Sequence, residues 1–433
     1  MQIKSLAFAS LFLVPFIALI PDRNGTVLTL MLLAMGLLAW AQKGFALPTQ
    51  KAAQLFCILL AVYPLALLIN VSQLSVQEQI EPLTQTLRAG TYLAPLAGVA
   101  LVLGLSDHNL SWRQVTLAFP VAASISGVVA IVQRLVFSIH RAEGFTNAIL
   151  FADICVILVA VSFATKGLWP IKERHRTLLI WLTSVLGLVA IVSSGSRGSW
   201  VAIPVLALIL IHAQFAHRKK PLRLSLLGLM VALPACYLFP MVNQRINLAI
   251  VEIQRFFVEG HIHSSVGARL EVWRISLTEL FPQAPWFGVG VHQFKPSLAK
   301  LAAEGRIDER FTWISHPHNE WLYVIVEQGV FGFVALASLY GGSYWVISKT
   351  LINHPSESEL RLATRLLIIG MLTFGLTDVM TGNLITATFF CALLAWLQIA
   401  ASKPMASNAD QLRTNKAFTH PPQTLTGSKR YAN

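Results

Sequence analysis

HPHNEWLYVIVEQGVFG, residues 316–332, sets two histidines, an amide and an acid directly before a long apolar run. Titratable groups are expensive at a membrane boundary, so the cluster needs a reason. The chain around it is 55% hydrophobic and 12% charged, against roughly 25% charged in soluble domains. Its apolar residues fall in blocks of about 20, the length that crosses about 30 Å of hydrocarbon. The fold class expected is an all-α polytopic membrane protein.

Twelve transmembrane helices are expected, near 5–21, 26–42, 52–69, 90–105, 114–137, 148–165, 178–194, 199–213, 224–240, 320–347, 362–380 and 384–402. The chain then divides into helices 1–9 over 1–240, a large loop domain over 241–318, three further helices over 319–402, and a Thr-, Pro-, Asn- and Lys-rich tail over 403–433 that reads as disordered. The first apolar run leads straight into further spans, so no cleavable signal peptide is expected.

Lys and Arg concentrate in alternate connections, including KERHR at 172–176, HRKKPLR at 217–223 and the tail. By the positive-inside rule both termini face the cytoplasm and loop 241–318 faces outward. The net charge of +13 is thus a topology signal, and no soluble basic domain calls for nucleic acid. Cys57, Cys155, Cys236 and Cys391 all lie in apolar spans without a CxxC pair and read as small hydrophobes. No Walker loop, dinucleotide fingerprint or HExxH is present, nor matched broken helices of a secondary transporter.

The outward loop has structure of its own. Residues 244–258 and 267–281 read as helices, the second with Leu270, Trp273, Leu277 and Phe281 as an apolar stripe. PQAPWFGVGVHQF (282–294) then breaks the helix. His318-Asn319, nine residues, then Gly329-Val-Phe-Gly332 resembles the H-N-x9-G-x-x-G pattern of the O-antigen ligase and polymerase superfamily. Arg269, Trp273, Pro285, Gly288-Val-Gly290 and Phe294 resemble that family's loop. SSGSRGSW (193–200) is similar to its Ser-Arg-Gly turn, and RAEGFTNAILFAD (141–153) to an Arg-x-x-Gly segment.

The resemblance implies a C-type glycosyltransferase architecture and no metal or other cofactor. Its donor would be a glycan on undecaprenyl pyrophosphate, and the work would be done at the periplasmic face of a bacterial inner membrane. For a ligase the acceptor is the lipid A–core. The chemistry is coherent independently: a lipid pyrophosphate arrives activated and leaves as concentrated negative charge, which arginine meets with a planar fork of donors. The acceptor hydroxyl needs a base, and histidine titrates near the working pH.

On that reading His318 is the base, and Arg197 and Arg269 contact the pyrophosphate. Arg88, Asn319 and Asp378 are candidate substrate-binding residues. Each has a plainer alternative. Arg197 could snorkel toward headgroups, Arg269 could pair with Glu271 or Glu252, and Arg88 could be a charged flank. Asn319 and Glu320 fall where a helix cap and first turn belong. Asp378 could pair with an arginine, orient His318, or interact locally with Thr377 or Asn383. Glu327 could bond to another helix or to substrate. His316 has no matched position and reads as supporting, Arg274 as structural, and Gly329 and Gly332 as packing glycines.

A ligase is the expected member. A polymerase joining repeat units on the carrier lipid, a protein O-oligosaccharyltransferase and a transporter of lipid-linked sugar are the rivals.

Overall fold

The computed structural model describes residues 2–72, 93–107, 112–215, 218–238, 240–262 and 264–402. Arg88 and the segment 403–433 lie outside them. No strand occurs among the described residues. Helices are α1 (Gln2–Leu13), α2 (Asp22–Gln42), α3 (Lys51–Ser72), α4 (Leu93–Leu105), α5 (Ala118–Leu135), α6 (Ala148–Thr165), α7 (Glu173–Ser194), α8 (Arg197–Phe215) and α9 (Lys219–Cys236). They continue as α10 (Pro240–Glu259), α11 (Ser265–Ile275), α12 (Phe294–Ala303), α13 (Glu320–Ala337), α14 (Ser343–Thr350), α15 (Glu357–Phe374) and α16 (Leu384–Ala401).

Among the described residues, eight helical stretches are long and apolar enough to cross a membrane. The other four expected spans fall on two shorter apolar helices, at Ala9–Leu19 and Leu93–Leu105, and on the more charged α9 and α15. The bundle is centred on α16, in which every residue after Leu384 is buried and against which α4 packs; α6 is also largely buried. Small residues set the spacing, as expected where lipid supplies no hydrophobic drive between helices. A Cβ on Gly36 would lie 2.5 Å from the Ala100 carbonyl carbon, and one on Gly127 2.3 Å from the Leu186 oxygen.

The segment between α9 and α13 builds a second, smaller core from Val272, Ile275, Leu280, Phe294, Leu298, Leu301, Phe311 and Ile314, closed by Val326 of α13. The expected stripe is corrected here. Leu277 is exposed, and Val272, Ile275 and Leu280 are the buried apolar positions. Val272 and Ile275 face the core within α11 itself, which then runs into a π turn at Ser276–Leu280 and a 3-10 turn at Phe281–Gln283. That leaves the face carrying Arg269 and Trp273 free for another task.

The two cores are joined at a break in α13. Gly329 has φ 65° and ψ −163°, outside helical geometry, a conformation glycine adopts at low cost. The turn at 285–290 fills the gap. Val289 N–H donates to the Val326 carbonyl at 2.8 Å and Gly290 N–H to Glu327 O at 3.0 Å; Val330 N–H donates to Pro285 O at 2.9 Å. Glu327 makes the expected bond to another helix: its buried carboxylate accepts the backbone N–H of Phe294 (3.2 Å), at the start of α12, and that of His292 (3.0 Å) just before it. Asn70 of α3 completes the clasp, its Oδ1 accepting Val291 N–H at 2.9 Å and its amide donating to Phe287 O.

Candidate active site

The turn before α13 is held from above. Trp273 Nε1–H donates to the Pro317 carbonyl at 2.8 Å, and Pro317 itself stiffens the chain. His318 is pushed to φ 50°, an uncommon conformation for a residue with a Cβ. Its backbone N–H donates to His316 Nδ1 at 3.3 Å, and the two rings meet edge-on with centroids 4.3 Å apart. Burial, then the neighbouring His318 and Arg269, push His316 down to about 4 against the opposing pull of Asp378. A neutral His316 can accept that N–H; an imidazolium could not.

His318 Nδ1 lies 3.8 Å from Asp378 Oδ1, within ion-pair range and longer than a hydrogen bond. Burial alone would raise the Asp378 carboxyl; the His318 ring and the Val379 N–H outweigh it and hold it below the usual value. Asp378 sits in a bend between α15 and α16. Asn319 caps α13 as expected, accepting Leu322 N–H at 3.1 Å, and its amide also donates to Leu376 O at 3.3 Å. Glu320 opens the first turn of α13 as expected, and it does more than sit at a helix end. It is fully buried, and its carboxylate accepts Thr381 N–H at 2.7 Å and the Tyr340 hydroxyl at 3.0 Å.

The free face of α11 carries Ser265, Arg269 and Trp273 at four-residue spacing, so they line up along one side. Trp273 holds the histidine turn. Burial lowers Arg269 from its ordinary value, Asp378 opposes that and Arg197 adds to it, which places all three charges within electrostatic reach. Arginine stays protonated nonetheless. Neither expected salt-bridge partner engages Arg269: Glu271 pairs with Arg274 at 2.6 Å, and Glu252 accepts the Val266 N–H. Ser265 Oγ is 3.5 Å from an Nη of Arg197. The other, Nη1, is buried without a hydrogen-bond partner among the described residues.

Arg197 opens α8 after the left-handed turn at Gly195. Gly198 packs against the Asp378 bend, where a Cβ would fall 2.4 Å from Thr377 Oγ1. The start of α8 is anchored from below: Ser199 Oγ donates to the buried carboxylate of Asp153 at 2.5 Å and bonds Ser196 Oγ at 2.7 Å. Arg141 Nε donates to the Ser194 carbonyl at 2.6 Å, so both ends of the 141–153 stretch meet the Ser-Arg-Gly turn.

His318, Asp378, Arg269 and Arg197 are thus assembled from four separate parts of the chain, with Asn319 beneath them. Asp153 and Arg141 are contributors not singled out from the sequence, and Glu320 was read there only as a first-turn acid. Polar groups within or beside apolar runs were the available signal. One ligand atom each from His316, His318 and Asp378 lie within 4.8 Å of one another. These donor types suit zinc, but two guanidinium groups close by and a backbone N–H aimed at His316 Nδ1 oppose a cation there.

A helical membrane protein in which a histidine–carboxylate pair and two arginines gather where the smaller core meets the helix bundle is the class these features define. Residues 182–337 match the family model described as O-Antigen ligase, which bears out the superfamily resemblance carried by the motifs. The chain is also 24% identical over 265 residues to an uncharacterized protein of Haemophilus influenzae, a stretch covering 60% of this chain and 66% of that protein. The matched part is therefore just under two thirds of that relative's length.

Proposed function

We propose that the protein is an O-antigen ligase, a metal-independent glycosyltransferase of the bacterial inner membrane. It moves a polysaccharide from undecaprenyl pyrophosphate to a lipid A–core acceptor at the periplasmic face. The observation that carries this reading is the contact of His318 with Asp378 beside two arginines, one with a buried unpartnered N–H. Such an N–H calls for an acceptor, and a pyrophosphate oxygen supplies one.

In this reading Asp378 faces Nδ1 of His318 and fixes the ring so that Nε2 takes the proton from the acceptor hydroxyl. Asp378 also steadies the imidazolium as it forms, the arrangement by which a carboxylate orients a base in hydrolases. As the glycosidic bond to the pyrophosphate breaks, Arg197 and Arg269 meet the charge developing on the leaving group, the kind of preorganised stabilisation that dominates many enzymes. The acceptor oxygen forms the new bond, and the carrier departs as the pyrophosphate. Both termini in the cytoplasm, and the segment 241–318 as a periplasmic domain, follow from the same orientation.

The test is lipopolysaccharide from a deletion strain, separated by gel. The ligase reading expects cores without long chains and an accumulation of lipid-linked polymer, restored by the wild-type gene and not by His318→Ala. Cores bearing a single repeat unit would assign the protein as the polymerase instead, and an unaltered glycan ladder with an unglycosylated protein would assign it as a protein glycosyltransferase.

A further inference from the structure

We infer that Glu320 is a positioning residue that holds Asp378 against His318; this rests on the catalytic reading of that pair. The bend that carries Asp378 is fixed at three points by the two residues that follow His318. Glu320 N–H donates to Gly375 O at 2.7 Å, the Asn319 amide donates to Leu376 O at 3.3 Å, and the Glu320 carboxylate accepts Thr381 N–H at 2.7 Å. Asp378 lies between these anchors, so the spacing of acid and base is set by adjacent residues of one chain segment.

The second carboxylate oxygen of Glu320 is held by the Tyr340 hydroxyl at 3.0 Å, which fixes the side chain from within α13's own continuation. There is no slack around it: a Cβ on Gly375 would stand 2.9 Å from Glu320 Oε2. The carboxylate is fully buried and turned to Thr381 and Tyr340, so it does not touch a reacting group. A carboxylate beside a base is the tempting assignment for an acid–base role. Its bonding instead spends both oxygens on geometry.

The experiment is a double-variant cycle of Glu320→Ala and Asp378→Asn on full-length purified protein, with transfer followed from a lipid-linked glycan donor across pH. If Glu320 acts through Asp378, the double variant is no slower than the slower single variant, because residues acting as a unit are non-additive. The pH profile of Glu320→Ala should take the form of the Asp378→Asn profile, with kcat reduced at unchanged donor KM. Glu320→Gln, which keeps an acceptor for Thr381 N–H, should recover most of the rate. Effects that multiply, or a Glu320→Ala profile of wild-type shape, would overturn the inference. If Glu320→Ala is not recovered folded, Tyr340→Phe takes its place in the cycle with the same two outcomes. Full activity of Asp378→Asn alone would instead sink the catalytic pair itself.

Discussion

Replacing Asp378 with Asn should slow transfer without disturbing the fold. The acid faces His318 at 3.8 Å, and its charge matters when the ring becomes an imidazolium. At that distance and an effective dielectric of about 20, one charge pair is worth about 4 kcal/mol. The His318 side chain is 33% exposed and Asp378 14%, so solvent screens part of this; halving it leaves about 2 kcal/mol, or about thirtyfold in rate. The assay is single-turnover transfer in detergent with saturating donor, beside a thermal unfolding curve for each variant. The expected outcome is a loss of that order in kcat, an unchanged unfolding midpoint within about 2 °C, and a deeper loss of about 10²–10⁴ for His318→Ala. Asp378→Asn at wild-type rate while His318→Ala is inactive would refute the electrostatic reasoning, because the base would then work without its carboxylate.

Three further outcomes are expected. Arg197→Lys and Arg269→Lys should each weaken donor use more than acceptor use and retain more activity than the Ala variants, since lysine keeps charge but loses the bidentate fork; equal effects on both substrates in a two-substrate kinetic analysis would count against pyrophosphate contact. Transfer should persist in chelator, and a loss restored by one added divalent ion would convert the cluster of His316, His318 and Asp378 into a metal site. Because His316 is depressed to about 4 in the folded protein, the unfolded chain binds a proton there that the folded one refuses; stability should fall as pH drops from about 6.5 to about 4, by up to about 3 kcal/mol, and unfolding curves of His316→Gln should lose that component.

What could be read in advance followed physical scale. Blocks of about 20 apolar residues locate a span because the bilayer fixes the length, so each expected span overlaps a helix among the described residues, and the misses are of length and charge, as at α9 and α15. His318 was legible from its spacing to Gly329, and Asp378 from the oddity of an acid at the end of an apolar run. The partners were not. Glu320 reads locally as a helix-end acid, and only the fold brings it to Thr381, 61 positions away. Asp153 stood inside a quoted motif, yet nothing in one dimension aims it at Ser199. Gly329 reads as a packing glycine between helices; what it admits is a loop, and no periodicity announces a helix that opens for a non-local segment.

That opening constrains how the protein is made. Bare amide and carbonyl groups are intolerable in hydrocarbon, so the 320–337 segment must leave the translocation machinery as an unbroken helix. It can adopt its mature form only once residues 285–290, synthesised earlier, fold back to take over the surrendered bonds. Maturation is therefore a step after insertion, in which the chain edits its own span, and a variant that lames the loop should yield a fully inserted protein arrested one step short of its working shape.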